Sequence, residues 1–73
     1  MQLDTARSTA LMVNGEGTVM EARTLAELVT ARGFGEKDVA TALNGEFVPR
    51  AARAATLLRD GDRIEIVAPR QGG

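Results

Sequence analysis

The sequence predicts an α+β domain, with one main helix packed on one face of a mixed sheet of four to five strands. Three observations predict it. Short apolar stretches of strand length are punctuated by Asn14-Gly15 and Asn44-Gly45, and Asn-Gly is the strongest short hairpin signal. One segment, from Thr24 to Gly33, carries a helix start, an apolar stripe and a helix stop. A late segment, Arg63 to Ala68, alternates apolar and charged residues as a half-buried strand does. The chain has 73 residues, enough for one domain. A domain of this size buries only roughly 60% of the surface its unfolded chain exposes, so a helix on a sheet is the economical core.

Taken in order, residues 1–8 show no clear period and read as a flexible leader. Thr9 to Asn14 is a first strand, with Leu11 and Val13 on one face and Ala10 and Met12 on the other. After the Asn14-Gly15-Glu16-Gly17 turn, Thr18 to Glu21 returns as a second strand, and the pattern leaves open whether Val19 or Met20 points inward. Thr24 is an N-cap with Glu27 three residues on, a capping box. Leu25, Leu28 and Val29 form one stripe of a helix from about Leu25 to Arg32, and Gly33 suits the left-handed position after it. So short a helix needs a sheet to hold it. Val39 to Leu43 is a third strand and Glu46 to Val48 a fourth, stopped by Pro49. Arg50 to Leu58 is Ala-rich, compatible with a helical turn, with Leu57 and Leu58 expected to anchor in the core. Asp60-Gly61-Asp62 is a tight turn into the last strand, which Pro69 ends.

A hairpin, a crossing helix, further strands and a last strand returning to the middle of the sheet, parallel to the first, make the ubiquitin-like β-grasp layout. The near-continuous run Ile64-Glu65-Ile66-Val67 suits that central place. The expected organisation is a leader at 1–8, the domain at 9–69 and a flexible tail at 70–73.

Composition narrows the function. With no cysteine there is no disulfide, thiolate nucleophile or Cys-based metal site, which fits a reducing, cytoplasmic setting. With no histidine the usual base near neutral pH and the commonest metal ligand are missing. Net charge is −1 and no basic stripe stands out, so no nucleic-acid backbone is expected as partner. Phe34 and Phe47 are the only aromatics, too few for a base-stacking platform. No apolar run approaches the ~20 residues that cross a membrane. The chain is therefore expected not to be an enzyme, to bind no metal or cofactor itself, and to be a monomer when free.

Among the motifs, Asn44-Gly45-Glu46 and Asp60-Gly61-Asp62 carry too few carboxylates for a calcium loop and read as turns. Arg50, Arg53, Arg59, Arg63 and Arg70 read as a solvated face, with a rim for an acidic partner as the alternative. Met12, Met20 and Phe47 read as core, and any of them left exposed would form an apolar docking patch. Gly72-Gly73 stands apart. A glycine pair takes φ values closed to other residues and is narrow enough to thread a channel, presenting its carboxylate inside a partner's active site. That carboxylate is ionised at neutral pH and a poor electrophile, so it needs activation; joining it to AMP supplies a leaving group. A plain flexible tail is the alternative.

Ala42-Leu43-Asn44-Gly45-Glu46-Phe47-Val48-Pro49-Arg50 resembles the Asn-x-x-hydrophobic-Val-Pro-Arg segment of the thiamin-biosynthesis sulfur carriers, the ThiS family. Asp60-Gly61-Asp62-Arg63-Ile64-Glu65-Ile66 is similar to that family's turn and last strand, and Gly72-Gly73 to its ending. Leu11 to Glu16 and the helix start at Thr24 to Leu28 are also similar, so the likeness spans about residues 10–73. The Asn-Gly-x-x-Val-Pro-Arg segment combined with the Gly-Gly end is the specific part.

The resemblance implies a cycle. A ThiF-type adenylating enzyme uses ATP to adenylate the Gly73 carboxylate. Sulfur from a cysteine-desulfurase-derived persulfide replaces AMP, and the thiocarboxylate gives its sulfur to the ring built by thiazole synthase, ThiG. Gly73 is then the acyl carrier, and Gly72, Gln71 and Arg70 lie in the partner's channel. The related small subunit of molybdopterin synthase, MoaD, shares the Gly-Gly end but usually approaches it through Phe-x-Pro-Pro, where this chain has Val67-Ala68-Pro69-Arg70-Gln71. A carrier for another thiolated product, a non-covalent β-grasp interaction module and a protein tag are the alternative readings.

Overall fold

The computed structural model describes residues 8–35 and 38–68. The elements are β1 (Thr9–Val13), β2 (Glu16–Met20), α1 (Leu25–Ala31), β3 (Ala40–Leu43), β4 (Glu46–Val48), a 3-10 helix (Arg50–Ala55) and β5 (Arg63–Val67). They form one five-stranded sheet in the order β2-β1-β5-β3-β4. The last strand lies in the middle, parallel to β1 and antiparallel to β3, as the sequence predicts.

Both hairpins turn on Asn-Gly. Asn14 and Gly15 have φ of 52 and 85°, and Asn44 and Gly45 have 52 and 88°. Positive φ at both central residues is the turn whose twist matches paired strands, and Asn and Gly are the residues that adopt it at least cost. The registers Val13↔Glu16 and Leu43↔Glu46 follow directly from these turns.

The helix is closed at both ends. Thr24 Oγ1 accepts from the Glu27 N–H (3.2 Å). Glu27 Oε1 accepts from the N–H of Arg23 (2.7 Å), one residue before the cap, which satisfies a free donor at the entry to the helix. At the other end Gly33 sits at φ 86°, with Gly33 N–H donating to Thr30 O and Phe34 N–H to Val29 O. That pair of bonds is the Schellman stop, and Phe34 packs against the core beside it. Leu25, Leu28 and Val29 are fully buried against Leu11, Val13, Ile64 and Ile66, so α1 covers one sheet face only.

The structure corrects several expectations. β2 starts at Glu16, not Thr18: Gly17 belongs to the strand, opposite Met12. Met20 points inward and Val19 outward. Of the two leucines after the 3-10 helix only Leu58 enters the core; Leu57 is exposed, because the Thr24↔Leu57 bridge and the Leu58 N–H bond to Arg23 O fix this segment in extended form, where neighbours point opposite ways. Arg53, expected on a solvated face, is buried at 2% exposure. Its guanidinium donates through Nε to Thr41 Oγ1 (3.0 Å) and through Nη2 to Val39 O (2.7 Å), while Thr41 donates to Val48 O (2.9 Å). The 3-10 helix thus closes the β3–β4 end of the core with a hydrogen-bonded cation, its methylene stem packed in apolar surroundings.

Candidate functional site: the end of β5 and the open face of the sheet

Arg70, Gln71, Gly72 and Gly73, the tail residues singled out in the sequence, lie outside the described residues, as does Pro69. The described site is the strand that leads to them and the surface beside it.

β5 is held on both flanks. On the β3 side the register is Leu43↔Ile64, Thr41↔Ile66 and Ala40↔Val67. On the β1 side Met12 N–H donates to Asp62 O (3.0 Å) and Asn14 N–H to Ile64 O (2.9 Å). Both turn asparagines then reach across with their side chains. Asn44 Oδ1 accepts from the Arg63 N–H (2.9 Å) and its Nδ2 donates to Asp62 Oδ1 (3.0 Å). Asn14 Oδ1 accepts from the Ile66 N–H (2.8 Å) and its Nδ2 donates to Ile66 O (3.3 Å). The Asp60-Gly61-Asp62 turn is fastened as well: Asp60 Oδ1 accepts from Ala10 N–H, Gly61 N–H donates to Ala10 O, and Asp62 Oδ2 accepts from Arg59 N–H. These carboxylates shape a turn, as the sequence predicts. Among the described residues no group of three or more His, Cys, Asp or Glu side chains stands together to hold a metal ion.

Alternation along the strands, read through the register, assigns the outer face. Ala10 and Met12 of β1, Gly17 and Val19 of β2, Arg63, Glu65 and Val67 of β5, Ala40 and Ala42 of β3, and Phe47 of β4 all point away from α1. Val19 is 69% exposed, Phe47 68%, Val67 60% and Met12 39%. Met12 and Phe47 are therefore not core residues, as expected from their apolarity, but parts of an uncovered apolar face. The charges on that face are opposite in sign, Arg63 and Glu65, both on the strand that runs to the tail. An apolar face bearing few charges is what a partner protein covers. The sequence carried the signal in the alternation of β1 and β5; what it lacked was the register that sets Phe47 beside Ala42 and Val67 beside Ala40.

A mixed five-stranded sheet in this order, with its last strand central and one helix across one face, defines a ubiquitin-like β-grasp protein. Comparison with known proteins agrees and is narrower. The ThiS family model matches residues 5–73, and the chain belongs to that family. It is 41% identical over 61 residues to the sulfur carrier protein ThiS of Thermus thermophilus, covering 84% of this chain and 95% of that one. It is also similar to the crystal structure of the thiamine biosynthesis protein ThiS from Geobacter metallireducens, with a TM-score of 0.73 and 33% identity over 89% of this chain and all of that one. A solution structure of a thiamine biosynthesis protein from the same organism gives 0.74 and 32%, over 89% and 88% of the two chains. Among the described residues no helix is long and apolar enough to cross a membrane.

Proposed function

We propose that this chain is a sulfur carrier for thiazole formation in thiamin biosynthesis, with the Gly73 carboxylate as the carrying group. The observation that supports it most is the family match running through Gly72-Gly73, at the end of a chain whose central strand β5 leads into that pair. In this reading the chain catalyses nothing itself. It offers a docking face and a narrow carboxylate, and partner enzymes supply the chemistry.

The carboxylate oxygen of Gly73 attacks the α-phosphorus of ATP in a ThiF-type adenylating enzyme, and pyrophosphate leaves. The outer sulfur of a persulfide, charged by a cysteine desulfurase, attacks the acyl carbon, and AMP leaves with one carboxylate oxygen. A second thiol then attacks the inner sulfur and forms a disulfide with it, so the outer sulfur leaves on Gly73 as a thiocarboxylate, ready for ThiG. Each step needs the acyl carbon inside a closed site, which explains two glycines at the tip: no Cβ widens the chain there. The open face carrying Met12, Val19, Phe47 and Val67 is the surface on which the adenylating enzyme seats the domain while the tail enters.

The test is the intact mass of the protein after incubation with ATP, a ThiF-type enzyme and a persulfide donor. A shift matching one oxygen replaced by sulfur, mapped to Gly73 and absent when Gly73 is deleted, is expected. An unshifted mass with an enzyme that binds the chain would overturn the reading in favour of a non-covalent interaction module.

A further inference from the structure

We infer that Asn14 is a positioning residue for the C-terminal tail, its side-chain carboxamide fixing the last residues of β5 where strand β1 no longer reaches them. The inference rests on the carrier reading above and deepens it.

The parallel pairing of β1 with β5 covers Met12↔Arg63 and Val13↔Ile64 and then stops. It stops because Asn14, at φ 52°, turns the chain back into β2. Ile66 is two residues further along β5, and its N–H and C=O both face the flank that β1 has left. Asn14 fills that place. Its carboxamide offers an acceptor and a donor on one plane, as a peptide group does, and engages both backbone groups of Ile66. The side chain thus stands in for the next peptide of β1. On the opposite flank β3 pairs with β5 as far as Ala40↔Val67, its first residue. At the tail end, then, β5 is gripped by the tip of β3 and by one side chain.

Few residues satisfy both demands of this position. Asp tolerates the positive φ but has no donor for Ile66 O, and Gly makes the turn but reaches nothing. Asn44 is a natural comparison. It has the same φ and the same following glycine, yet it fastens Arg63, at the start of β5 and away from the tail. The two turns bracket one strand, and only Asn14 acts at its functional end.

The consequence is geometric. With Ile66 held, β5 is fixed on both flanks close to its last residue, Val67. With Ile66 released on that flank, the last β1-side anchor falls back to Ile64, and the end of β5 is held on one flank only, by its pairing with Ala40 and Thr41 of β3. Acyl transfer is sensitive to misplacement on the order of 1 Å. The docking face is untouched by this change, so turnover falls while recognition of the domain persists.

The experiment compares Asn14→Gly with Asn44→Gly, each of which keeps a turn with positive φ and removes one carboxamide. Two readouts are taken: amide hydrogen exchange at Ile66, and kcat and KM for ATP-dependent loading by a ThiF-type enzyme that loads the unaltered chain. In Asn14→Gly, exchange at Ile66 is expected to rise about tenfold and kcat to fall about tenfold with KM within about twofold, the scale of one to two net hydrogen bonds. Asn44→Gly is expected to leave both within about twofold. Equal kcat losses in the two variants, a loss confined to KM, or an unchanged kcat in Asn14→Gly would each overturn the inference. Should Asn14→Gly fail to fold, Asn14→Asp, which keeps the acceptor and loses the donor, is read against the same outcomes. Failure of the unaltered chain to load with an enzyme that binds it sinks the carrier reading itself, whereas normal loading of both variants sinks only the role of Asn14.

Discussion

Replacing Ile64 by Ala removes the side chain at the crossing point of the whole fold. Ile64 is fully buried, with Val13 beside it on β1, Leu43 beside it on β3, and the apolar stripe of α1 in the same core. Strands on both flanks keep the backbone from collapsing into the space left behind, so both the transfer loss and the cavity loss apply. For such a site Ile→Ala costs about 3–4 kcal/mol within the usual ~2–5 range. A domain of 73 residues has a total stability of about 4–11 kcal/mol. The substitution therefore takes about a quarter or more of what holds the chain folded. In urea, with a slope of about 1 kcal/mol/M for a small domain, the midpoint should fall by ~3 M at unchanged slope. Val67→Ala, three residues on and on the opposite face, should move the same midpoint by no more than about 0.5 M. Comparable shifts at Ile64 and Val67, or a loss under ~1.5 kcal/mol at Ile64, would refute the assignment of β5 as the central, one-sided strand.

Two further outcomes follow from the described surfaces. Arg53→Ala strips the donors from Val39 O and Thr41 Oγ1 and removes a packed stem, and a loss of about 2–4 kcal/mol is expected by urea titration. A loss under ~1 kcal/mol would mean that the buried guanidinium contributes little. Phe47→Ser, on the open face, should leave stability within about 0.5 kcal/mol yet weaken binding to a ThiF-type enzyme at least about fivefold in calorimetry. Unchanged affinity would place the docking surface elsewhere.

The parts of the fold legible in the sequence were those set by local chemistry. Thr24, Glu27 and Gly33 announce the helix because caps are short-range devices, and the two Asn-Gly pairs announce the hairpins for the same reason. The start of β2 is not legible because glycine is a poor strand former, and Gly17 joins the strand only through its pairing with Met12 of β1. Arg53 was misread because an arginine in an Ala-rich stretch carries no local mark of burial. Its partners, Val39 and Thr41, are more than ten residues away and meet it only when the sheet closes. The same holds for the site. The Gly-Gly pair and the late alternating strand were visible as sequence, while the grip of Asn14 on Ile66 spans the length of the domain, and no window along the chain contains both ends of it.

That the central strand is the last of the described strands has a consequence for how the molecule comes to exist. Neither β2-β1 nor β3-β4 is joined to the other without β5, and an isolated two-stranded hairpin is at best marginal in water. During synthesis the chain therefore waits: its two half-sheets are not joined until β5 has left the ribosome, and contacts such as Met12↔Arg63 close late and over long separations. A product that stops short of Arg63 has no keystone and stays open to proteolysis. Folding thus acts as a check that β5 has been made, because only then do the two hairpins share one sheet.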